Sequence, residues 1–159
     1  MNETAGRDET PEERADRNFA DILQELRVVL TGTQLISGFL LAVAFQSGFR
    51  DLDADEVVHY LVLVAVAGLA TLLGMTPVVV HRLHFAKRMK PDVVQLGNRF
   101  LIATLVVVSA LVVGVTSFIF EVVVARTAGV WAGAATAAVV VLLWLLAWAA
   151  RRRAPDRDD

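Results

Sequence analysis

The sequence contains no cysteine and a single tyrosine, and charged residues make up only 20% of its 159 residues. Without cysteine the chain can form no disulfide, no thiolate nucleophile and no zinc site with thiolate ligands. Basic residues number 15 against 17 acidic ones, whereas 56% of the residues are hydrophobic and the mean hydropathy is +0.58. This composition argues against a soluble enzyme, a disordered chain and a nucleic-acid-binding protein.

Familiar catalytic motifs are also missing. The sequence has no G-x-S-x-G nucleophile elbow, no H-E-x-x-H helix, no P-loop and no G-x-G-x-x-G dinucleotide motif. His81 and His84 could share a metal ion on one helix face, but nearby cations would repel it and no third ligand is evident. We therefore predict no enzymatic activity, no cofactor and no bound metal.

Long uncharged runs dominate the chain. Residues 28–49, 57–80, 100–120 and 127–150 contain no Asp, Glu, Lys or Arg, and each run has at least 21 residues. A helix that crosses the hydrocarbon core of a bilayer needs about 20 residues. The runs are continuous rather than alternating, which argues against barrel strands. The sequence predicts an all-α integral membrane protein that forms a four-helix bundle.

Basic residues are distributed unequally between the two sides of this bundle. Thirteen lie before the first run, between the second and third, or after the fourth, while Arg50 and Arg126 lie in the other two connections. Positively charged connections tend to stay in the cytoplasm. We expect both termini to be cytoplasmic in a bacterial inner membrane. The acidic start and the length of the first run argue against a cleavable signal peptide.

Changes of pattern divide the chain into segments. Residues 1–16 are polar and acidic and are predicted to be disordered. Residues 17–27 carry apolar side chains at helical spacing between charged ones, which predicts an N-terminal amphipathic helix leading into the first span. The transmembrane domain then covers residues 17–153, and residues 154–159 are predicted to be a mobile tail.

The first span carries the densest polar face. We call this face the candidate polar path, and it comprises Glu25, Arg27, Thr31 and Gln34. These side chains could line a water-filled path for ions. Alternatively, they could form hydrogen bonds between helices, each of which contributes about 0.6 kcal/mol to stability. We favour the second interpretation. No span holds a carboxylate near its middle, which argues against a proton-coupled transporter made from one chain. Glu25 is expected to contact Arg82 or His81.

Small residues recur at four-residue spacing in the spans, a pattern that lets helices approach closely. The candidate packing residues are Gly38, Gly74, Gly114, Gly129 and Gly133.

A basic cluster lies at and after the end of the second span. This candidate lipid patch comprises His81, Arg82, His84, Lys87, Arg88 and Lys90. Such side chains at the cytoplasmic interface bind anionic lipid headgroups, and each Lys or Arg contributes about 1 kcal/mol.

Some of these positions also carry a family resemblance. The motifs are Glu25-Leu26-Arg27, Gly32-x-Gln34, Gly38-Phe39-Leu40-Leu41, Phe45 and Pro77-x-x-x-His81-Arg82-x-x-Phe85. Over roughly residues 21–126 the sequence resembles a family of small actinobacterial membrane proteins of unknown function, some of them labelled sodium:proton antiporters by automatic transfer. The resemblance implies a four-helix membrane protein of an actinobacterium and brings no catalytic residue.

Two function classes remain. One is transport of ions or protons by an oligomer, because four helices with short connections leave little room for a path within one chain. The other is a non-catalytic membrane module that binds a partner or anionic lipid through its basic cytoplasmic face. The expected partners are the lipid bilayer, anionic lipid headgroups and a second copy of the chain, with no nucleic acid.

Overall fold

A computed structural model describes residues 10–83 and 91–153, except for the side chains of Glu12, Pro91 and Asp92. The secondary-structure elements of the described residues are all helices. They are α1 (Pro11–Val43), a short 3₁₀ helix (Ser47–Asp51), α2 (Ala54–Leu83), α3 (Pro91–Val123) and α4 (Arg126–Arg153). All four α-helices are long and apolar enough to cross a membrane. The prediction of four membrane-spanning helices is confirmed, and the protein is a multi-pass membrane protein.

The start of α1 differs from the sequence prediction. A disordered segment was predicted up to residue 16, but α1 begins at Pro11. Thr10 Oγ1 accepts a hydrogen bond from the Glu13 N–H at 3.2 Å, and the Glu13 carboxylate accepts one from the Thr10 N–H at 2.9 Å. This reciprocal capping box satisfies two N–H groups at the start of the helix, and proline is favoured at the first helical position. The rest of the predicted tails, residues 1–9 and 154–159, lies outside the described residues.

The structure also joins two predicted elements. The amphipathic helix 17–27 and the first part of the span 28–49 form one continuous helix, which ends at Val43 rather than at residue 49. Beyond it, the N–H groups of Phe45 and Gln46 donate to carbonyls three residues earlier, at 3.1 and 3.0 Å. These bonds tighten the end of α1, and the 3₁₀ helix Ser47–Asp51 follows.

Contacts within the chain divide it into two compact units. The first unit comprises the described parts of Met1–Gly38 and Ala67–Val107, and the second comprises those of Phe39–Val66 and Val108–Asp159. Helices α1, α2 and α3 therefore each contribute one segment to each unit, while α4 belongs to the second.

Apolar packing holds the first unit together. Two small clusters join α1 to α3; their members are Ala15 and Phe19 with Leu23, Val93 and Val94, and Ile22, Leu26 and Leu101 with Val94 and Leu105. The Phe19 ring also stacks on the imidazole of His81 from α2, with ring centroids 5.7 Å apart.

Aromatic and hydrogen-bonded contacts hold the second unit together. Tyr60 of α2 is buried, and its hydroxyl donates to the Leu40 carbonyl of α1 at 2.9 Å. The Tyr60 ring lies edge-to-face with Phe49 at 4.9 Å and tilted against Phe118 of α3 at 6.1 Å. These contacts link three helical segments around one aromatic side chain.

Candidate functional site

The candidate polar path of α1 lies on the outside of the chain. The side chains of Glu25, Arg27, Thr31 and Gln34 are all exposed. Thr31 Oγ1 donates to the Arg27 carbonyl one turn earlier at 2.8 Å. The Gln34 amide makes no hydrogen bond with any residue in the described ranges 10–83 and 91–153. These side chains therefore do not line an interior path in the described chain.

Thr33, the residue before Gln34 in α1, is polar and buried, and sequence reasoning did not select it. Thr33 is buried in the first unit, as is Thr104 of α3. Each hydroxyl donates to the carbonyl one turn earlier in its own helix: Thr33 to Val29 at 2.9 Å and Thr104 to Phe100 at 2.8 Å. Each hydroxyl hydrogen is therefore used within its own helix, where such a bond tends to bend the helix slightly, and not in a contact with another helix.

Glu25 lies beside α3. With Asn18, Asp21, Gln95 and Asn98 it lines an open groove of about 350 Å³ between α1 and α3. The sequence predicts that Glu25 contacts Arg82 or His81, and no hydrogen bond or ion pair joins Glu25 to either of them among the residues that the structure describes.

Four of the five candidate packing glycines lie at close contacts. A Cβ atom added at Gly74 would meet the Leu30 side chain at 2.6 Å, and one at Gly114 would meet Leu63 at 2.5 Å. Gly129 and Gly133 are the buried residues of α4, and both lie against Ser117 of α3. Gly38 differs, because it is exposed and nothing lies within 4 Å of an added Cβ. The close approach expected at Gly38 is therefore not made within the described chain.

The candidate lipid patch is described only in part. His81 is half-buried against Phe19, and Arg82 is exposed at the end of α2. His84, Lys87, Arg88 and Lys90 lie outside the described residues. A second basic group ends α4, where the Arg152 guanidinium lies 3.5 Å from the centroid of the Trp148 ring. An arginine over a tryptophan at the end of an apolar helix is typical of a membrane-interface anchor.

The structure also brings together four charged or titratable side chains of the second unit, which we call the His59 network: Asp55, His59, Glu121 and Arg126. Its α2 members are positioned by the start of that helix. Asp53 Oδ1 accepts from the Glu56 N–H and Glu56 Oε2 accepts from the Asp53 N–H, both at 2.9 Å. This capping box fixes the first turn of α2, so that Asp55 and His59, four residues apart, share one face.

The α3 and α4 members are positioned by a tight turn and by two glycines. Only Val124 and Ala125 separate α3 from α4. An added Cβ at Gly129 would lie 2.7 Å from Glu121 Cβ and 2.8 Å from the Ser117 carbonyl oxygen. Because Gly129 has no side chain, α4 can approach α3 here, and Ser117 Oγ donates to the Gly129 carbonyl at 3.0 Å.

Hydrogen bonds and ion pairs connect the His59 network. His59 Nδ1 lies 2.7 Å from Glu121 Oε2, and the Glu121 side chain is only 11% exposed against 28% for His59. Arg126 donates through Nη2 to Asp55 Oδ2 at 2.8 Å, and its Nε lies 3.8 Å from Glu121 Oε1. A continuous series of hydrogen bonds and ion pairs therefore joins α2, α3 and the start of α4.

Glu121 needs these partners for two reasons. Its carboxylate is largely shielded from water, and an unpaired charge there would be costly. It also lies in the last turn of α3, where the helix dipole disfavours a negative charge. The cations Arg126 and, when protonated, His59 offset both effects. Within the described chain no group of three or more His, Asp and Glu side chains could hold a metal ion.

Sequence reasoning missed this network although two signals were present. His59 is a titratable side chain inside the uncharged run 57–80, and ionisable groups in spans are functional candidates. Asp55 lies one turn before it on α2. The partner across the helices, Glu121, could not be identified from spacing because it lies 62 residues further along the chain.

Comparisons with known proteins give a family but no relative of known function. A family model described as a family of unknown function (DUF6328) matches residues 8–148, which is most of the chain. No curated protein and no solved structure matches the chain.

Proposed function

The chain belongs to DUF6328, a family of unknown function, and we propose that it transports ions or protons across a bacterial inner membrane as an oligomer. In this proposal the path lies between copies of the chain and is lined by the candidate polar path of α1. The earlier resemblance to actinobacterial proteins labelled as antiporters favours sodium ions or protons as the transported species.

The observation that carries this proposal is the exposure of Gln34. This residue lies well inside the apolar part of α1, yet its amide faces outward without a hydrogen bond in the part of the chain that the structure describes. An amide that faces hydrocarbon without a partner costs several kcal/mol by transfer estimates. A second copy, or water held between two copies, would supply the missing partner. The exposed Arg27 and Thr31 follow on the same face of α1.

Association of copies through this face can be tested with single cysteines, since the chain has none of its own. We expect Gln34→Cys to form a disulfide-linked dimer in membranes under mild oxidation. Thr33→Cys is the matched control. Thr33 is next to Gln34 in α1 but is buried inside the chain, so this variant should stay monomeric. Equal cross-linking at the two positions, or none at either, would contradict an interface on this face.

Transport is tested by ion flux into liposomes that contain the purified protein. We expect Gln34→Leu to abolish flux while leaving folding and abundance nearly unchanged, and Thr33→Val to leave flux intact. Glu25→Gln removes the carboxylate of the candidate polar path and should weaken any dependence of flux on pH. Absence of flux for the wild type would refute the proposal.

A second candidate function, the binding of anionic lipid at a basic membrane face, is favoured by the contact between Arg152 and Trp148. It becomes the better proposal if flux is absent while anionic lipid raises the unfolding temperature of the wild type. Arg152→Gln should then reduce that rise, while Arg50→Gln, in the last turn of the 3₁₀ helix Ser47–Asp51, should not. This result would identify a lipid-binding module without transport.

The proposed orientation places both termini in the cytoplasm, because thirteen of the fifteen basic residues lie on that side. Asp53→Cys should therefore react with an impermeant thiol reagent in intact cells. Arg153→Cys should react only after permeabilisation. The reverse pattern would invert the topology.

A further inference from the structure

The groove between α1 and α3 in the first unit combines carboxylates, amides and apolar surface. Its volume is about 350 Å³, at the lower end of the range for small-molecule sites. The polar side chains that line it are Asn18, Asp21 and Glu25 of α1 and Gln95 and Asn98 of α3. The apolar residues that line it are Ile22, Val94 and Leu101. A concave site with apolar surface and a few converging polar groups is the usual form of a small-molecule site.

Packing between the two helices holds the walls of this groove in place. Ile22 and Leu101 are buried in one apolar cluster that joins α1 to α3. A Cβ atom added at Gly97 would lie 2.9 Å from Cε2 of Phe19, so the missing side chain lets the Phe19 ring pack directly on α3. Gly97 comes immediately before Asn98 in α3. The groove is therefore fixed by buried contacts between two long helices and not by a loop.

The polar residues of the groove lie at the water-exposed ends of these helices. Helices α1 and α3 have 33 residues each, which corresponds to a length of about 50 Å. The hydrocarbon core of a bilayer is only about 30 Å thick. On α1 the polar groove residues precede the uncharged run 28–49, and on α3 they precede the run 100–120. All five of these side chains are exposed, so a solute dissolved in water can reach the groove.

These five polar side chains have no partner within the described ranges 10–83 and 91–153. Neither carboxylate forms an ion pair there, and none of the three amides forms a side-chain hydrogen bond there. Asp21 and Glu25 lie four residues apart on α1, and like charges at this spacing destabilise a helix. A bound cation would remove this repulsion, so the groove is complementary to a positively charged ligand.

We propose that the groove binds an alkane diamine, with one ammonium group at Asp21, the other at Glu25 and the methylene chain on the apolar residues. The Cβ atoms of two residues one helical turn apart are separated by about 5–6 Å. The two ammonium groups of extended butane-1,4-diamine lie about as far apart. Each ammonium group has three donors, so it can also bond to the amide oxygens that line the groove. A bare metal ion would leave the apolar residues without a role.

This proposal goes beyond transport and does not require it. Binding is measured at equilibrium without an ion gradient, so a negative flux result leaves the proposal standing. Conversely, failure to bind a diamine leaves the flux experiment unaffected. The variants that test it are at Asp21 and Gln95, because neither residue belongs to the candidate polar path.

The experiment is isothermal titration calorimetry of the full-length protein in phosphatidylcholine nanodiscs, at about 0.15 M salt to screen weak surface attraction. We expect saturable binding of one butane-1,4-diamine per chain. Butylamine keeps the methylene chain but has one ammonium group, so it should bind at least about tenfold more weakly, as loss of a hydrogen bond between charged groups predicts. Equal binding of the two amines would contradict the proposal, and so would preferential binding of Mg²⁺.

Two pairs of variants locate the site. Asp21→Asn should weaken diamine binding by about tenfold or more, whereas Asp51→Asn, which removes an exposed carboxylate of the second unit, should not. Gln95→Leu should weaken binding by about threefold or more. Its matched control is Gln24→Leu, an exposed amide of α1 that does not line the groove. This second pair keeps the test decisive if Asp21→Asn fails to fold. Absence of diamine binding by the wild type, or unchanged binding by Gln95→Leu and any folded Asp21→Asn, would overturn the proposal.

Discussion

The two compact units of this chain use polar side chains in different ways. In the first unit the buried hydroxyls of Thr33 and Thr104 bond to carbonyls of their own helices, and the two buried clusters between α1 and α3 are apolar. In the second unit Tyr60, His59 and Ser117 each bond to a different helix or helical segment. The buried clusters of the first unit thus depend on shape, whereas the buried contacts of the second also depend on directional bonds and charge.

This difference has a physical consequence. Apolar side chains are as well solvated by lipid tails as by each other, so helices in a bilayer associate through close packing and interhelical hydrogen bonds. The buried clusters of the first unit depend on close packing, and the buried contacts of the second depend on both. The free energy of unfolding should therefore respond to changes of side-chain volume in the first unit. In the second unit it should also respond to changes of hydrogen bonds, charge and close helix contacts.

The largest expected effect is loss of volume in the first unit. Leu26 is fully buried with Ile22 and Leu101, so Leu26→Ala should lower the free energy of unfolding by about 2–5 kcal/mol through the cavity it leaves. Reversible unfolding in mixed micelles measures the change. Leu35→Ala is the control, because Leu35 is 74% exposed and should change stability little. Equal effects of the two variants would show that packing does not hold this unit.

A smaller effect is expected where α4 meets α3 in the second unit. Gly129→Ala places a methyl group against Glu121 and a backbone oxygen, and should cost about 1–3 kcal/mol of unfolding free energy. Gly38→Ala, with open space around it, should be neutral or stabilising because alanine is the better helix former by about 1 kcal/mol. Thermal unfolding of both variants in the same detergent compares them. A stable Gly129→Ala variant would mean that α4 does not need this close contact.

The smallest effect tests the hydrogen-bond contrast directly. Tyr60→Phe removes the bond from α2 to the Leu40 carbonyl and should lower the unfolding free energy by about 0.6 kcal/mol or slightly more. Thr104→Val in the first unit removes only a bond to its own helix and should change less. Unfolding curves of the two variants, measured under the same conditions, show which variant loses more unfolding free energy. If Thr104→Val costs more than Tyr60→Phe, the contrast between the units is wrong.

The residues of α1 show how far sequence reasoning reached. The uncharged run predicted a spanning helix, which is present, but the polar face chosen from it was the exposed one with Thr31 and Gln34 rather than the buried Thr33. In a soluble helix the apolar stripe marks the buried face. In α1 large apolar residues such as Leu35 and Phe39 are exposed while Leu26 and Leu40 are buried, so hydrophobicity could not separate the two faces.

The close helix contacts at glycines and the contacts between charged side chains were also only partly predictable from the sequence. The glycines at 129 and 133 could be picked out from their four-residue spacing, but the same spacing also selected Gly38, which has open space around it. Glu121 was visible only as a charged residue near the end of a run. Its contact with His59 depends on the register of α2 against α3, which no local pattern encodes.

The sequence by itself determined that the described residues contain four helices of membrane-spanning length, and it located each of them approximately. These properties are local, because in lipid each segment must satisfy its own backbone hydrogen bonds and must be long enough to cross the hydrocarbon. Only the tertiary structure decided which side of each helix is buried and that His59, Glu121, Arg126 and Asp55 form one network. Those properties depend on contacts between distant segments, and the lipid-facing and protein-facing sides of these helices are too similar in composition to reveal them.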